Sequence, residues 1–381
     1  MILPIAFWLL AGLVLYVYVG YPLIVHCLAQ RKAGSRKRGG NDFFPFVSLV
    51  ITAYNEEAVI RGKLLNSLTL AYPGDRMEIV VVSDGSTDRT DEIVRGFADR
   101  GVRLVRLPAN SGKSAAQNAA VARAAGEIVV LCDADVELDA GALAAIVRPL
   151  ADSSVGCVTG KIRYVKGAET GVTRGENLYW RYEFALRKRE SDWGNLAMGS
   201  GLLAIRKKLF KPLDSDVGDD FVLPMRTVLQ GYRVVFEPEA RGRTVLYQSR
   251  AEDMFATKLR IITKDLRGLF LCRGILDPFA YPRYAWGLIS HKLLRWLVPY
   301  FLIGIFAASL ALRHLPFYGA AAAAQSVFYT LALLNLAMAA RGREFRLLYI
   351  PSSFFLINSA AFLGVIRFMT GGKTGRWQPV R

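Results

Sequence analysis

Asp133-Ala134-Asp135 closes the apolar run Glu127-Ile128-Val129-Val130-Leu131-Cys132. Two carboxylates one residue apart, at the exit of a buried strand, offer hard oxygen ligands to a divalent cation such as Mg²⁺ or Mn²⁺. A cation there can neutralise a diphosphate. A second acidic pair, Asp219-Asp220, lies in Asp216-Val217-Gly218-Asp219-Asp220-Phe221. Adjacent carboxylates repel, which raises the pKa of one of them toward that of a general base. The same pair also suits the start of a helix running from Phe221 to Gly231. Three further polar clusters precede both pairs. In Thr52-Ala53-Tyr54-Asn55-Glu56-Glu57 the small residues leave room for a flat base. A carboxylate there can reach a ribose hydroxyl, although Glu56 and Glu57 equally suit a helix N-terminus. In Ser83-Asp84-Gly85-Ser86-Thr87-Asp88-Arg89-Thr90, Gly85 permits a tight turn and Ser86, Thr87 or Asp88 can cap the next helix. Asp84 precedes that turn and can accept from a pyrimidine N–H. In Asn110-Ser111-Gly112-Lys113 the lysine opposes the dipole of the helix it opens. It therefore needs an anionic partner, either a diphosphate or a nearby Asp. The spacing is not that of a Walker phosphate loop.

These clusters need elements to position them. Val47–Thr52, Glu78–Ser83, Val102–Leu107 and Glu127–Cys132 read as buried strands. Glu57–Leu70, Asp88–Arg100 and Lys113–Ala125 read as the intervening helices, the first with Val59, Ile60, Leu64, Leu65 and Leu68 on its apolar face. This rhythm predicts a parallel, doubly wound sheet, on which ligands sit at the carboxyl ends of the strands. The strand ends are where the Glu56, Asp84, Lys113 and Asp133-Asp135 clusters fall.

The chain of 381 residues is 52% hydrophobic and carries a net charge of +17. That is too apolar for an ordinary soluble enzyme and points to membrane segments. Pro4–Leu28 holds no charged residue and is long enough to span a bilayer. It lacks a basic leader and a small-residue cleavage site, which favours a retained anchor over a signal peptide. Arg31, Lys32, Arg36, Lys37 and Arg38 follow at once and place the next domain in the cytoplasm. Ser290–Trp296 mixes basic, aromatic and apolar residues like an interfacial segment. Three apolar segments follow near Trp296–Leu312, Phe317–Ala339 and Leu347–Met369, with a basic loop at Arg341–Arg346. The loop belongs inside, which puts the tail outside. The tail's Lys373, Arg376 and Arg381 prefer the inside, so a re-entrant segment is an open alternative. Basic residues beside apolar segments fit an anionic leaflet rather than nucleic acid. Cys27, Cys132, Cys157 and Cys272 form no Cys-x-x-Cys pair, and the scattered His26, His291 and His314 do not suggest a metal site or a triad.

Taken in order, NEE, SDGSTDRT, NSGK, DAD, GSG and GDD resemble the family 2 glycosyltransferases of GT-A fold, inverting enzymes that use nucleotide sugars. The likeness runs from about residue 45 to 270, and the flanking helices resemble membrane-bound members that build bacterial exopolysaccharides. The resemblance implies an α/β GT-A catalytic domain, a Rossmann-like mixed sheet, between N- and C-terminal transmembrane helices. It implies that Ala53, Glu56 and Asp84 hold the nucleoside, Lys113 lies near the nucleotide, Asp133 near ribose or metal, and Asp135 on the metal. Asp220 falls at the position of the base, and Asp219 where a Glu is common. Gly199-Ser200-Gly201 resembles the small segment beside which the acceptor approaches. Processive members carry Gln-Arg-x-Arg-Trp after the base. Here the nearest segment is Thr257-Lys258-Leu259-Arg260-Ile261, where Lys258 and Arg260 can touch diphosphate but the acceptor-stacking Trp is missing. Tyr179-Trp180-Arg181-Tyr182-Glu183 is either a receiver for the acceptor or an amphipathic helix at the membrane.

The expected organisation is an anchor over 1–30, a basic linker over 31–45, a cytoplasmic catalytic domain over 46–270, an interfacial segment over 271–295, membrane segments over 296–369 and a basic tail over 370–381. The expected activity is metal-dependent transfer of one sugar, UDP-linked, to a polyprenyl-linked or oligosaccharide acceptor at the bacterial inner membrane. A processive synthase and a non-catalytic nucleotide-sugar-binding scaffold are the alternatives. Product length separates the first, and binding without transfer the second.

Overall fold

The computed structural model describes residues 2–32, 43–165, 171–245, 251–341, 343 and 345–372. Most of the basic linker and the tail from 373 onward therefore lie outside the described residues. Every residue of β1 (Val47–Ala53) is buried, as befits a strand covered on both faces. Its period of two sends side chains to different layers. Val47, Leu49, Ile51 and Ala53 pack with Ile60, Leu64 and Leu143 on one face. Val50 joins Ala116, Ala120, Phe221 and Val222 on the other.

The remaining strands are β2 (Met77–Ser83), β3 (Val102–Arg106), β4 (Ile128–Asp133), β5 (Glu137–Leu138), β6 (Val155–Val165), β7 (Leu202–Arg206) and β8 (Arg233–Val245). They form one sheet in the order β3-β2-β1-β4-β7-β6-β8-β5. The first four strands are parallel, as their alternation with helices predicts. The second half departs from an all-parallel sheet: β7 runs antiparallel to both β4 and β6, and β5 antiparallel to β8. Strands and helices go on alternating beyond Asp133, from β5 to β8, so alternation alone does not fix the direction of these later pairings. The reversal has a consequence for the site. Because β7 is antiparallel, its first residue, Leu202, pairs with Cys132 near the end of β4. The segment Gly199–Gly201 is thereby delivered to the exit of Asp133.

Two expected helices are shorter than their sequence suggests. The first spans Ile60–Leu68, and Leu65, assigned to its apolar face, is 45% exposed while Lys63 is 4% exposed. The second breaks into Thr90–Arg95 and a separate turn, Ala98–Arg100. Four helical stretches are long and apolar enough to cross a membrane: Ile2–Arg31, Pro282–Ala311, Pro316–Ala339 and Tyr349–Met369. The segment read as interfacial lies partly inside the second of these. π-helical turns interrupt the first two stretches at Tyr16–Gly20 and Ile289–Leu293. Between the sheet and these helices run Gly171–Trp193 and Ala251–Leu271.

Candidate active site

The carboxyl ends of β1, β2 and β4 are level, with Ala53 opposite Ser83 and Thr52 opposite Asp133. Ala53, Glu56 and Asp84 are all buried there. Asp84 does structural work: Oδ1 accepts from the Ser111 N–H at 2.8 Å and Oδ2 from the Gly112 N–H at 2.8 Å. The second strand end thus clamps the loop carrying Lys113. Gly85 makes the clamp possible. Its φ is +69°, and a Cβ there would meet the Ala109 carbonyl carbon at 2.6 Å. Asp88 caps as expected, accepting from the Thr90 N–H at 3.0 Å, and its other oxygen takes the Glu57 N–H at 3.1 Å.

Lys113 finds carboxylates. Its Nζ lies 2.8 Å from Asp133 Oδ1 and 3.2 Å from Asp219 Oδ1. Burial works against the ammonium charge, but Asp133 and Asp219, with Asp220 behind them, outweigh it and hold Lys113 above the ordinary lysine range. The two members of the Asp219-Asp220 pair diverge. Burial would raise Asp219, yet Lys113 and a 2.7 Å hydrogen bond from Gln117 Nε2 hold it below the usual carboxylate range. Asp220 is pushed up by burial and by the charge of Asp219, against the pull of Lys113, Arg187 and Lys292. Both sit in the first turn of helix Asp219–Leu229. A buried carboxyl nearby, Asp265, is pushed up to about 7 by burial, offset by Lys292 and reinforced by Asp220.

Asp133, Asp135 and Asp220 come together with Gly199, Ser200 and Gly201 in the lining of one cavity of about 150 Å³. Trp180, Phe184, Arg187 and Thr244 also line it. The Gly199 N–H donates to the Asp220 carbonyl at 2.6 Å. Asp135 Oδ2 accepts from Thr244 Oγ1 at 2.8 Å. A Cβ at Gly201 would stand 3.3 Å from Asp133 Oδ2, so glycine leaves that oxygen open. The donor set fits a hard divalent cation held by two carboxylates whose remaining positions go to phosphate oxygens and water, the common Mg²⁺ arrangement. Among the described residues no cluster of three His, Cys, Asp or Glu side chains offers a fuller cage.

Lys258 and Arg260 do not line the cavity. Lys258 Nζ lies 5.7 Å from the centroid of the Trp180 ring, a cation–π contact on the cavity wall. Burial holds the Arg260 guanidinium below its usual value. Sequence reasoning missed Lys63, Thr244 and Arg187. Lys63 Nζ donates to the Val136 carbonyl at 2.6 Å and contacts Cys132 Sγ at 3.1 Å, bracing the turn that carries Asp133 and Asp135. A lysine among apolar helix positions is the one available signal. Nothing local marks the other two.

This architecture is the GT-A fold. A mannosyltransferase from Pyrobaculum calidifontis, solved with GDP-Man and Mn²⁺, superposes with a TM-score of 0.75 at 24% identity, covering 97% of this chain and 100% of that one. Residues 48–213 match the family model Glycosyl transferase family 2. A probable glycosyltransferase of Bacillus subtilis, YdaM, is 34% identical over 208 residues, 51% of this chain and 50% of that protein. An N-acetylglucosaminyltransferase of Rhizobium sp. is 26% identical over 225 residues, 54% and 50% respectively. The chain thus spans about half the length of these curated relatives.

Proposed function

We propose that the chain is a membrane-anchored inverting glycosyltransferase. It moves one sugar from a nucleotide diphosphate sugar, UDP-linked, onto a lipid-linked or oligosaccharide acceptor in the synthesis of a bacterial surface glycan or exopolysaccharide. The observation that carries this reading is the convergence of Asp133, Asp135 and Asp220 on one cavity.

Ala53, Glu56 and the loop clamped by Asp84 receive the nucleoside. Asp133 and Asp135 would hold a divalent cation, which when bound supplies charge neutralisation to the departing diphosphate. Lys113 lies beside Asp133 and adds positive charge on the same side. Asp220, its basicity raised, removes the proton from the acceptor hydroxyl. The freed oxygen attacks the anomeric carbon from the face opposite the diphosphate, so that configuration inverts. Gly199–Gly201, without side-chain bulk at either end, lets the acceptor come close. The membrane helices keep a lipid-linked acceptor near the cavity, with the catalytic domain on the cytoplasmic side of the inner membrane.

Radiolabelled nucleotide sugars tested on membranes supplemented with polyprenyl phosphate and diphosphate acceptors, with Mg²⁺ and Mn²⁺ compared, should give one labelled product that chelation abolishes. A ladder of products would replace single transfer by processive synthesis. Nucleotide binding without transfer under every condition would replace enzyme by scaffold.

A further inference from the structure

A buried chain of charged groups joins the membrane helices to the cavity, and the transfer reaction as described does not use it. His291, in the π-helical turn Ile289–Leu293, is fully buried. Its Nδ1 lies 2.7 Å from Glu190 Oε1 and its Nε2 3.2 Å from Glu183 Oε2. Each ring nitrogen thus faces a carboxylate from the same helix. Glu183 and Glu190 belong to helix Gly171–Trp193 and are each 1% exposed. Glu183 also takes Arg295 Nη1 at 3.1 Å and Arg187 Nε at 3.2 Å. Despite its burial, His291 and Arg187 hold Glu183 well below the usual carboxylate range. Arg187, itself a cavity residue, donates from Nη1 to the Gly199 carbonyl at 2.5 Å. The Gly199 N–H meets the backbone of Asp220. On the far side, Tyr21 of the first membrane helix donates to Glu190 at 2.6 Å. Tyr16 and Ser290, one from each π-helical turn, bond at 2.8 Å.

Burying this many charges is costly, and such clusters are weak evidence for stability alone. Of these groups His291 and Arg295 lie on a helical stretch that could cross a membrane, where ionisable residues commonly mark function, and π-helical turns within α-helices concentrate at functional sites. The path His291–Glu183–Arg187–Gly199–Asp220 is continuous at hydrogen-bond distance. It is also the side-chain hold on the Gly199 carbonyl. We propose that His291 is a positioning residue: through Glu183 and Arg187 it fixes the Gly199 peptide against Asp220, so that the packing of the membrane helices sets the acceptor side of the cavity. The proposal rests on the transferase reading given above.

The test is a double-mutant cycle in the full chain reconstituted in lipid: His291→Gln, Arg187→Lys and the pair. Each single change should lower kcat about 3- to 30-fold with the donor KM unchanged, and the pair should be no worse than the more damaging single change. Hydrogen exchange of residues 199–201 should rise in His291→Gln while β1 stays protected. Tyr21→Phe, which removes one hydroxyl, should give a smaller effect of the same kind if His291→Gln does not fold. Multiplicative losses in the pair, or unchanged exchange at 199–201, overturn the proposal. Asp220→Asn in the same assay separates the two claims. If it is inactive while the cycle is multiplicative, the positioning role alone falls. If it transfers at the wild-type rate, the transferase reading falls, and the positioning role with it.

Discussion

On the side of the site built from β1, β2 and β4, neighbouring strand ends hold one another through backbone amides. Asp84 grips the Ser111 and Gly112 N–H groups, and the register of β1 with β2 and β4 sets the level. On the side built from Gly199–Gly201 and Asp220, side chains reach in from remote sequence. Gln117 reaches Asp219 across 102 positions, Thr244 reaches Asp135 across 109, and His291 reaches Glu183 across 108. The first side is a rigid property of a parallel sheet. The second depends on how separate elements, including helices long and apolar enough to cross a membrane, pack together. On the proposed reading, donor chemistry would sit on the sheet and acceptor choice where the packing can vary.

Four substitutions test that contrast. Asp135→Ala should have the largest effect, lowering transfer about 10³-fold through loss of the several kcal/mol that a cation contributes at a diphosphate. Steady-state rates that added Mn²⁺ cannot restore would show it. Lys113→Met strikes the sheet side by leaving Asp133 and Asp219 without their cation. Removing one partner of a fully buried pair costs roughly 3–5 kcal/mol. Lys113 is 22% exposed, so about 2–3 kcal/mol is expected by denaturation in detergent. Trp180→Ala strikes the other side. It should raise the acceptor KM about 3- to 10-fold while leaving the donor KM alone. An equal rise in both would erase the distinction between the two sides.

Asp265→Asn gives the smallest effect, and its sign follows from linkage. With the folded carboxyl at about 7 and the unfolded one at about 4, the folded state holds the extra proton. That contribution to stability is complete below about pH 4 and is lost as pH rises through 7. Asn does not incur the loss. The variant should gain about 2–4 °C in Tm over the parent at pH 8 and less at pH 5. A gap independent of pH would contradict the buried carboxyl.

What the sequence discloses follows the same division. The strands and the Glu56, Asp84, Lys113 and Asp133-Asp135 clusters are legible because each is a local pattern, an apolar run ending in a polar turn. That one of Asp219 and Asp220 is raised is foreseeable from their adjacency; which one is not, because Lys113 and Gln117, which hold Asp219 low, reach it only in the fold. The antiparallel β7 is not legible, because its partner β4 is about 70 residues away and its apolar run fits either direction. Arg187 and His291 are hidden for a related reason. A basic residue on an amphipathic helix looks solvated until the opposing helix is known, and both are buried by partners from other elements. Leu65, expected on the apolar face, is exposed, while Lys63 is buried and braces the Asp133–Val136 turn.

The central claim is that Asp220 takes the proton while the sheet side holds the nucleotide. Asp220→Asn, assayed for transfer and, on the same preparation, for nucleotide-sugar affinity by calorimetry, tests it most directly. The account predicts transfer reduced about 10³-fold with affinity unchanged. Transfer at the parental rate would contradict it.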